Sequence, residues 1–255
     1  MTKRIEKLNY GIDAPGLVRF FFIGGFVAAI TCLIANVALL QQNWWVASVK
    51  VILTIATVYL IGMGCLMIYW SRVAKIKGRE SVLDQIQWTG NERVLDVGCG
   101  RGLMLIGAAR RLTTGNAVGI DIWSAKDQSS NSPNGARDNA RIEGVLEKIE
   151  IQTADMRSLP FADHSFDVIV SHWVVHNLET EADRHLSLSE MARVLKQGGQ
   201  LILCDIENRD DYLQRLKALR LENCRMVFHP FVDFLLGVIS FGSFRPTAIF
   251  ARKPL

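Results

Sequence analysis

The sequence predicts an α/β fold in which helices cover both faces of a mostly parallel sheet, preceded by two transmembrane helices. From residue 92 onward, strand-like apolar runs alternate with helix-like segments, which is typical of a parallel sheet. Before this alternation lie two long apolar segments, residues 16–40 and 51–70. Crossing about 30 Å of hydrocarbon takes roughly 20 such residues, so both segments qualify as membrane spans.

The alternating pattern gives the expected elements in order. Strands are predicted at residues 93–96, 117–121, 149–153, 167–171 and 200–205. Helices are predicted near residues 103–112, 135–144, 181–195 and 211–221, with a short helix within 78–89 and a closing strand pair at 225–228 and 247–252. In such sheets ligands bind at the carboxyl ends of the strands, so we look for a site there.

We divide the chain into a membrane anchor, residues 1–77, and a cytoplasmic domain, residues 78–255. The anchor holds transmembrane helices at about residues 16–40 and 46–70. A cleaved signal peptide is the competing interpretation of the first span, but its apolar region is too long and no small-residue cleavage site follows.

Positive charge flanks the two spans, whereas the connector, residues 41–43, has no charge. The basic residues are Lys3, Arg4 and Lys7 before the first span, and Arg72, Lys75, Lys77 and Arg79 after the second. By the positive-inside rule, we expect a two-span membrane protein with both termini and the domain in the cytoplasm.

Charge and cysteine content exclude two classes of site. Residues 1–79 carry nine Lys and Arg against two acids, and the remainder carries 20 against 23, so the basic balance belongs to the membrane flanks. No basic face for nucleic acid is indicated. The five cysteines show neither C-x-x-C spacing nor a neighbouring histidine, so we expect no metal site and buried thiols in a reducing compartment.

A glycine-rich turn, residues 98–102, follows the first apolar strand, and acids lie at three successive strand ends: Asp96, Asp121 and Asp155. The dinucleotide pattern G-x-G-x-x-G fails because Leu103 occupies its last position, and Asp96 would repel a pyrophosphate. Asp121 stands where a carboxylate accepts hydrogen bonds from ribose hydroxyls. These residues predict a ligand with a ribose and a cation but no phosphate.

These motifs resemble the class I S-adenosylmethionine-dependent methyltransferases, in particular the type 11 small-molecule group that includes quinone and sterol methyltransferases. The matching segments are residues 94–102, 118–121, 153–156 with 159–161, 166–171 and 192–199. The resemblance covers roughly residues 93–205. It implies a Rossmann-like sheet of seven strands in which only the last strand is antiparallel.

The resemblance also assigns roles around the cofactor S-adenosylmethionine. Asp96 and the backbone at Gly98 and Gly100 would face its methionine portion, and Asp121 would hold the ribose. For the rest of the site, the resemblance implies that Ile122 packs on the adenine, that Asp155 accepts from the adenine amino group with Met156 alongside, and that Ser171 belongs to the cofactor site.

Methyl transfer from a sulfonium is a displacement that depends mainly on aligning the reacting atoms in a dry site. In the family, the segment corresponding to residues 171–178 faces the methyl group. We expect His176 to be the polar side chain nearest the acceptor and the candidate base, the alternative being a histidine that only orients the loop. His172 is a weaker candidate, and Trp173 is expected to pack.

The predicted function is methylation of a small, lipophilic acceptor, such as a quinone, sterol or lipid-like molecule, because an anchored enzyme suits a substrate held in the bilayer. The apolar residues 231–241 are too short to span; they form either an interfacial cover or a buried element. Alternatives are a soluble-metabolite or protein methyltransferase that uses the hairpin only for localisation, and a membrane protein that binds the cofactor without turnover. We expect a chain lacking residues 1–77 to fold and bind the cofactor.

Overall fold

The computed structural model describes residues 8–38, 43–124, 131–227, 237–238 and 246–255. These residues form two compact units. The hairpin unit comprises the described residues from 11 to 75 together with Ser124, and the sheet unit comprises residues 8–10, 76–123 and the described residues from 131 onward.

Two long helices make up most of the hairpin unit: α1 (Pro15–Ala38) and α2 (Trp44–Tyr69). A five-residue π-helical turn, Trp70–Ala74, follows α2. By length and composition alone, the helical stretches Pro15–Val37 and Trp44–Leu83 could each cross a membrane. Buried residues make up only 11% and 6% of their apolar windows, so neither resembles the enclosed core helix of a soluble domain.

Glycines allow α1 and α2 to pack closely. A Cβ added at Gly64 would lie 2.9 Å from the ring of Phe22, and one added at Gly25 would lie 2.7 Å from the side chain of Ile61. Small residues at helix contacts are the usual means of close packing between apolar helices.

The sheet unit contains a seven-stranded sheet of order β3-β2-β1-β4-β5-β7-β6. Its strands are β1 (Arg93–Val97), β2 (Asn116–Asp121), β3 (Ile149–Thr153), β4 (Phe166–His172), β5 (Leu195–Asp205), β6 (Glu222–Val227) and β7 (Thr247–Arg252). Pairing is parallel from β3 to β5, and β7 runs antiparallel to both β5 and β6. The predicted seven-stranded topology with one antiparallel strand is confirmed.

The helices lie close to their predicted positions. They are α3 (Lys75–Leu83), α4 (Leu103–Ala109), α5 (Pro133–Ile142), α6 (Glu181–Val194) and α7 (Arg209–Ala218). Strand β5 begins earlier than predicted because its first residue, Leu195, pairs with Phe166 across an irregularity; regular pairing resumes at Gln200 opposite Val168, where the strand was predicted to start. Of the apolar residues 231–241, the structure describes only 237–238, so their predicted role lies outside the described residues.

Neighbouring residues along each strand enter cores on opposite faces of the sheet. Val94 packs in one cluster with residues of α4 and α5, and Leu95 packs in the other with residues of α6 and α7. Because both faces are covered, the carboxyl ends of the parallel strands are where this sheet can meet a ligand.

Candidate functional site

The glycine-rich turn leads from β1 into α4 and is fastened to β2. The backbone amides of Gly98 and Cys99 both donate to the carbonyl of Ile120 at 2.9 Å. Gly98 has a φ of +75°, and a Cβ there would lie 2.5 Å from the side chain of Val174. This position therefore accepts only glycine without a local shift.

Asp121, the last residue of β2, holds this turn in place. Its Oδ2 accepts from the amide of Gly100 at 2.8 Å, and its Oδ1 accepts from the amide of Trp123 at 2.6 Å and from the Asn131 side chain at 3.3 Å. The predicted contact of Asp121 with a ribose remains a prediction. The structure adds a second role for this carboxylate, which is to shape the turn.

Asp96, on β1 beneath the turn, is a buried acid that is only partly satisfied. The residue is 1% exposed, and its Oδ2 accepts from the amide of Leu105 at 2.7 Å. Its Oδ1 is buried and has no hydrogen-bond partner among the described residues. Burial, reinforced by the nearby charge of Asp121, raises the pKa of Asp96 to about 8. An orphaned carboxylate oxygen at this position is suited to a cationic donor.

The residue after β2 is exposed, whereas the acid after β3 is paired with a neighbouring arginine. Ile122 is 63% exposed, an open apolar surface directly after Asp121. Asp155 instead accepts four hydrogen bonds from Arg157, one from its backbone amide at 2.8 Å and three from its guanidinium at 2.7–3.1 Å, and this partner lowers the pKa of Asp155. Met156 is buried in the core with Leu159. Asp96 and Asp121 therefore lie beside the same turn, close enough for the charge of Asp121 to act on Asp96, whereas Asp155 is paired with Arg157.

Ser171, the predicted cofactor residue at the end of β4, is buried and bonded within the sheet. Its hydroxyl donates to the carbonyl of Val97 at 3.0 Å. The two residues are register partners in the β1–β4 pair. In this structure the side chain therefore fixes the two strand ends on either side of the site.

His176 lies on a short helical turn, Val175–Asn177, after β4 and contacts Asp205. Its backbone amide donates to Oδ2 of Asp205 at 3.1 Å, and its ring Nδ1 is hydrogen-bonded to Oδ1. Asp205 is the last residue of β5, is 3% exposed, and also accepts from the amide of Ile206 at 2.8 Å. The contact with Asp205 at Nδ1 therefore fixes the orientation of the His176 ring.

The comparison with protein families agrees with this geometry. Residues 95–203, from β1 through most of β5, match the family described as "Methyltransferase domain". Residues 95–203 form a class I S-adenosylmethionine-dependent methyltransferase domain. The match ends at residue 203, two positions before Asp205.

Curated relatives are similar to this domain over about half of the chain. Methyltransferase GfsG of Streptomyces halstedii is 36% identical over 127 residues, which cover 50% of this chain and 42% of the relative. Demethylmenaquinone methyltransferase of Bacteroides fragilis is 35% identical over 121 residues, covering 48% and 46% respectively. The chain thus spans less than half the length of these relatives.

Solved structures share the fold of the methyltransferase domain. The [4+2]-cyclase SpnF superposes with a TM-score of 0.57 at 20% identity, covering 73% of this chain and 84% of its own. Geranyl diphosphate C-methyltransferase of Streptomyces coelicolor A3(2) gives 0.55 at 17% identity, covering 69% and 78%. One of these two is named as a cyclase, so the fold alone does not fix the reaction.

Sequence reasoning did not single out Asp205, the carboxylate partner of His176. The signal was available: an apolar run, residues 201–204, ends in an acid, the same arrangement that singled out Asp96 and Asp121. His172, the weaker histidine candidate, stacks on Trp173 with ring centroids 4.8 Å apart. His176 contacts a buried carboxylate, that of Asp205.

Proposed function

We propose that this chain is a membrane-anchored S-adenosylmethionine-dependent methyltransferase that acts on a small, lipophilic acceptor. The observation that carries the proposal is the buried, unpartnered Oδ1 of Asp96 beside a glycine turn that leaves bare backbone at Gly98. A cationic donor such as the methionine ammonium would satisfy this oxygen, whereas a phosphate would be repelled by it.

The surrounding residues fit the rest of such a cofactor. Asp121 would accept from the ribose hydroxyls while it holds the turn through Gly100. The open side chain of Ile122 would pack on the adenine, and Asp155 would accept from the adenine amino group in exchange for part of its pairing with Arg157. When bound, S-adenosylmethionine supplies an activated methyl group.

His176 is proposed as the general base for an acceptor that loses a proton. Asp205 holds Nδ1, which fixes the orientation and tautomer of the ring, and Nε2 would accept the acceptor's proton. Both residues stand at the carboxyl ends of neighbouring parallel strands, β4 and β5. This is the edge of the sheet where a ligand is expected.

The proposal of a lipophilic acceptor rests on the hairpin unit. Large apolar side chains of α1 and α2 are exposed, among them Phe20, Phe26 and Ile55. Exposed apolar surface of this extent on two adjacent helices supports the proposed contact with a membrane. A relative named for demethylmenaquinone shares 35% identity with this chain. We therefore propose that α1 and α2 form a two-span anchor with both termini in the cytoplasm.

The proposed function is tested with the full-length protein in lipid nanodiscs. Calorimetry with S-adenosylmethionine should show one binding site, and incubation with methyl-labelled cofactor should transfer label to a component of a total lipid extract. Label found only in products of an aqueous extract would overturn the lipophilic acceptor. Absence of cofactor binding would overturn the function as a whole.

Replacing His176 by alanine tests the proposed base. We expect the methyl-transfer rate at saturating cofactor to fall by about 10²- to 10⁴-fold while cofactor affinity is unchanged, because the loss affects proton transfer alone. Asp205→Asn should lower the rate in the same direction by altering which ring nitrogen carries the proton. His185→Ala, on α6 and paired with Asp211, is the matched control and should leave the rate unchanged. A His176→Ala rate within a few fold of wild type at every pH would refute the assignment.

A further inference from the structure

The chain segment just before α1 belongs to the sheet unit. Residues 8–10, here called the strap, lie in the same unit as the glycine-rich turn. Tyr10 is 4% exposed and packs in the core cluster that contains Leu83 and Met104. A segment outside the family match therefore contributes a buried side chain to the methyltransferase domain.

Asn139 of α5 joins the strap to the glycine-rich turn. The residue is 1% exposed, and all of its side-chain hydrogen bonds go to backbone groups. Its Oδ1 accepts from the amide of Asn9 at 2.9 Å, and its Nδ2 donates to the carbonyls of Asn9 and Arg101, both at 2.9 Å. Because Arg101 is a residue of the turn, one buried amide binds both segments.

Arg101 makes a second connection from the turn to the strap. Its Nε donates to the same carbonyl of Asn9 that Asn139 contacts. The guanidinium lies against the first turn of α5, where a Cβ added at Gly135 would be 2.7 Å from it. Arg101 is therefore held by its backbone carbonyl and by its side chain at once.

A buried ionic cluster fixes the strap at its other end. The hydroxyl of Tyr10 donates to Glu143 at 2.7 Å, and Arg79 of α3 donates to that hydroxyl at 3.2 Å and to Glu143 at 3.3 Å. Arg110 completes the set by donating to Glu143 at 2.7 Å. The strap contributes the neutral hydroxyl of Tyr10 to this set, and a buried polar group that loses its hydrogen-bond partner is destabilising, so the set favours the strap in this position.

The two sides of the glycine-rich turn are thus held by different parts of the chain. Asp121 and the carbonyl of Ile120 hold it from β2, whereas Asn139 and the strap hold it at Arg101. A turn that binds a ligand through bare backbone must present its amides in one geometry before binding.

We propose that Asn139 and the strap position the cofactor turn, so that cofactor affinity depends on the chain segment that leads into the first membrane helix. Asn139 is a positioning residue, since it acts through Arg101 and the turn. This inference rests on the proposed function for the identity of the ligand, but the coupling between strap and turn can be measured without it.

The test uses full-length protein in nanodiscs and S-adenosylmethionine as the probe. Asn139→Ala should weaken cofactor binding by roughly tenfold to a hundredfold, since it removes one hydrogen bond to the turn at Arg101 and two hydrogen bonds to the strap at Asn9. The KM for the cofactor should rise with kcat at saturation unchanged. Arg141→Ala, which removes an exposed ion pair on the same helix, is the matched control and should bind as wild type does.

A second readout separates this inference from the proposed function. In the unliganded protein, Asn139→Ala should speed amide hydrogen exchange in residues 98–102 relative to both wild type and Arg141→Ala. Unchanged exchange and unchanged affinity, in a wild-type protein that binds the cofactor, overturn the inference and leave the function intact. If Asn139→Ala does not fold, Tyr10→Phe decides, because it keeps the ring and removes only the hydroxyl. Wild-type affinity and wild-type exchange in that variant also overturn the inference.

Discussion

At the scale of single residues, Asp96 shows how burial controls the charge of the site. Its pKa of about 8, against an ordinary value of 3.8, means that the folded, unliganded protein carries this proton at neutral pH. The unfolded chain has lost it, so this group makes the free energy of unfolding fall as pH rises between those two values. A bound cation reverses the preference, because it favours the charged carboxylate.

Cofactor binding should therefore release a proton. At pH 7 we expect close to one proton to leave as S-adenosylmethionine binds, because the ammonium stabilises the ionised form of Asp96. Calorimetry in buffers with different ionisation enthalpies measures this number directly, and the release should vanish above about pH 9, where Asp96 is already ionised. Asp96→Asn should abolish it, and Asp138→Asn, on the surface, should not. Equal release from wild type and Asp96→Asn would show that another group loses the proton.

At the scale of elements, the site is assembled where the segments after β1 and β4 meet. Gly98 follows β1 and Val174 follows β4, and the missing Cβ of the glycine is the space that the valine side chain occupies. The strands themselves are parallel partners, with Val97 opposite Ser171. The turn and the histidine segment therefore fix one another, which connects the cofactor side of the site to His176.

Gly98→Ala tests this contact. The new Cβ would lie 2.5 Å from Val174 and would sit at a φ of +75°, so we expect a loss of about 2–4 kcal/mol from the two effects together, with weaker cofactor binding. Thermal unfolding and calorimetry measure both. Gly144→Ala is the matched control. Its φ is +71° but nothing lies within 4 Å of the added Cβ, so its loss of stability should come only from the unfavourable backbone conformation. Adding Val174→Ala should recover part of the loss, and no recovery would contradict the contact.

At the scale of the whole molecule, the sheet unit contains chain from both sides of the hairpin unit: residues 8–10 come before it and residues 76 onward come after it. The strap precedes the hairpin unit, and the ends of that unit are fastened to each other: the buried Nζ of Lys75 donates to Asp13 and to the carbonyl of Gly11, both at 3.1 Å. A cut at residue 77 would remove Asn9 and Tyr10, so Asn139 would lose both of its hydrogen bonds to Asn9, and Arg79 and Glu143 would lose their hydrogen bonds to the hydroxyl of Tyr10. The structure therefore argues against the expectation that such a truncated chain keeps an intact domain.

The proposed topology gives a prediction for the whole chain in its membrane. A cysteine placed at Asn43, the exposed residue before α2, should react with an impermeant maleimide added to intact cells, because the uncharged connector is expected outside. A cysteine at Glu150, exposed on β3, should react only after permeabilisation. Both variants are made after the accessible cysteines Cys32, Cys65 and Cys224 are replaced by alanine. The reverse labelling pattern would contradict the cytoplasmic placement of the domain.

The sequence by itself determined the succession of strands and helices and the glycine-rich turn. The family resemblance added the expectation of seven strands, and the order of the strands came from the structure. The elements and the turn follow from local patterns: short apolar runs such as residues 117–120, bounded by turn signals, are typical of buried strands, and glycines 98, 100 and 102 mark backbone with positive φ. Asp96 and Asp121 were identified for the same reason, since each ends or nearly ends its strand beside the turn.

Only the tertiary structure decided which polar side chains are hydrogen-bond partners. Asp205 is 29 positions from His176, and Asn9 is 130 positions from Asn139, so no local pattern could pair them. Asp155 is the opposite case, since its partner is close in sequence: Arg157, two positions away, donates hydrogen bonds to its carboxylate. Periodicity along the chain reports which residues are buried, whereas the partner of a buried polar group depends on how distant segments pack together.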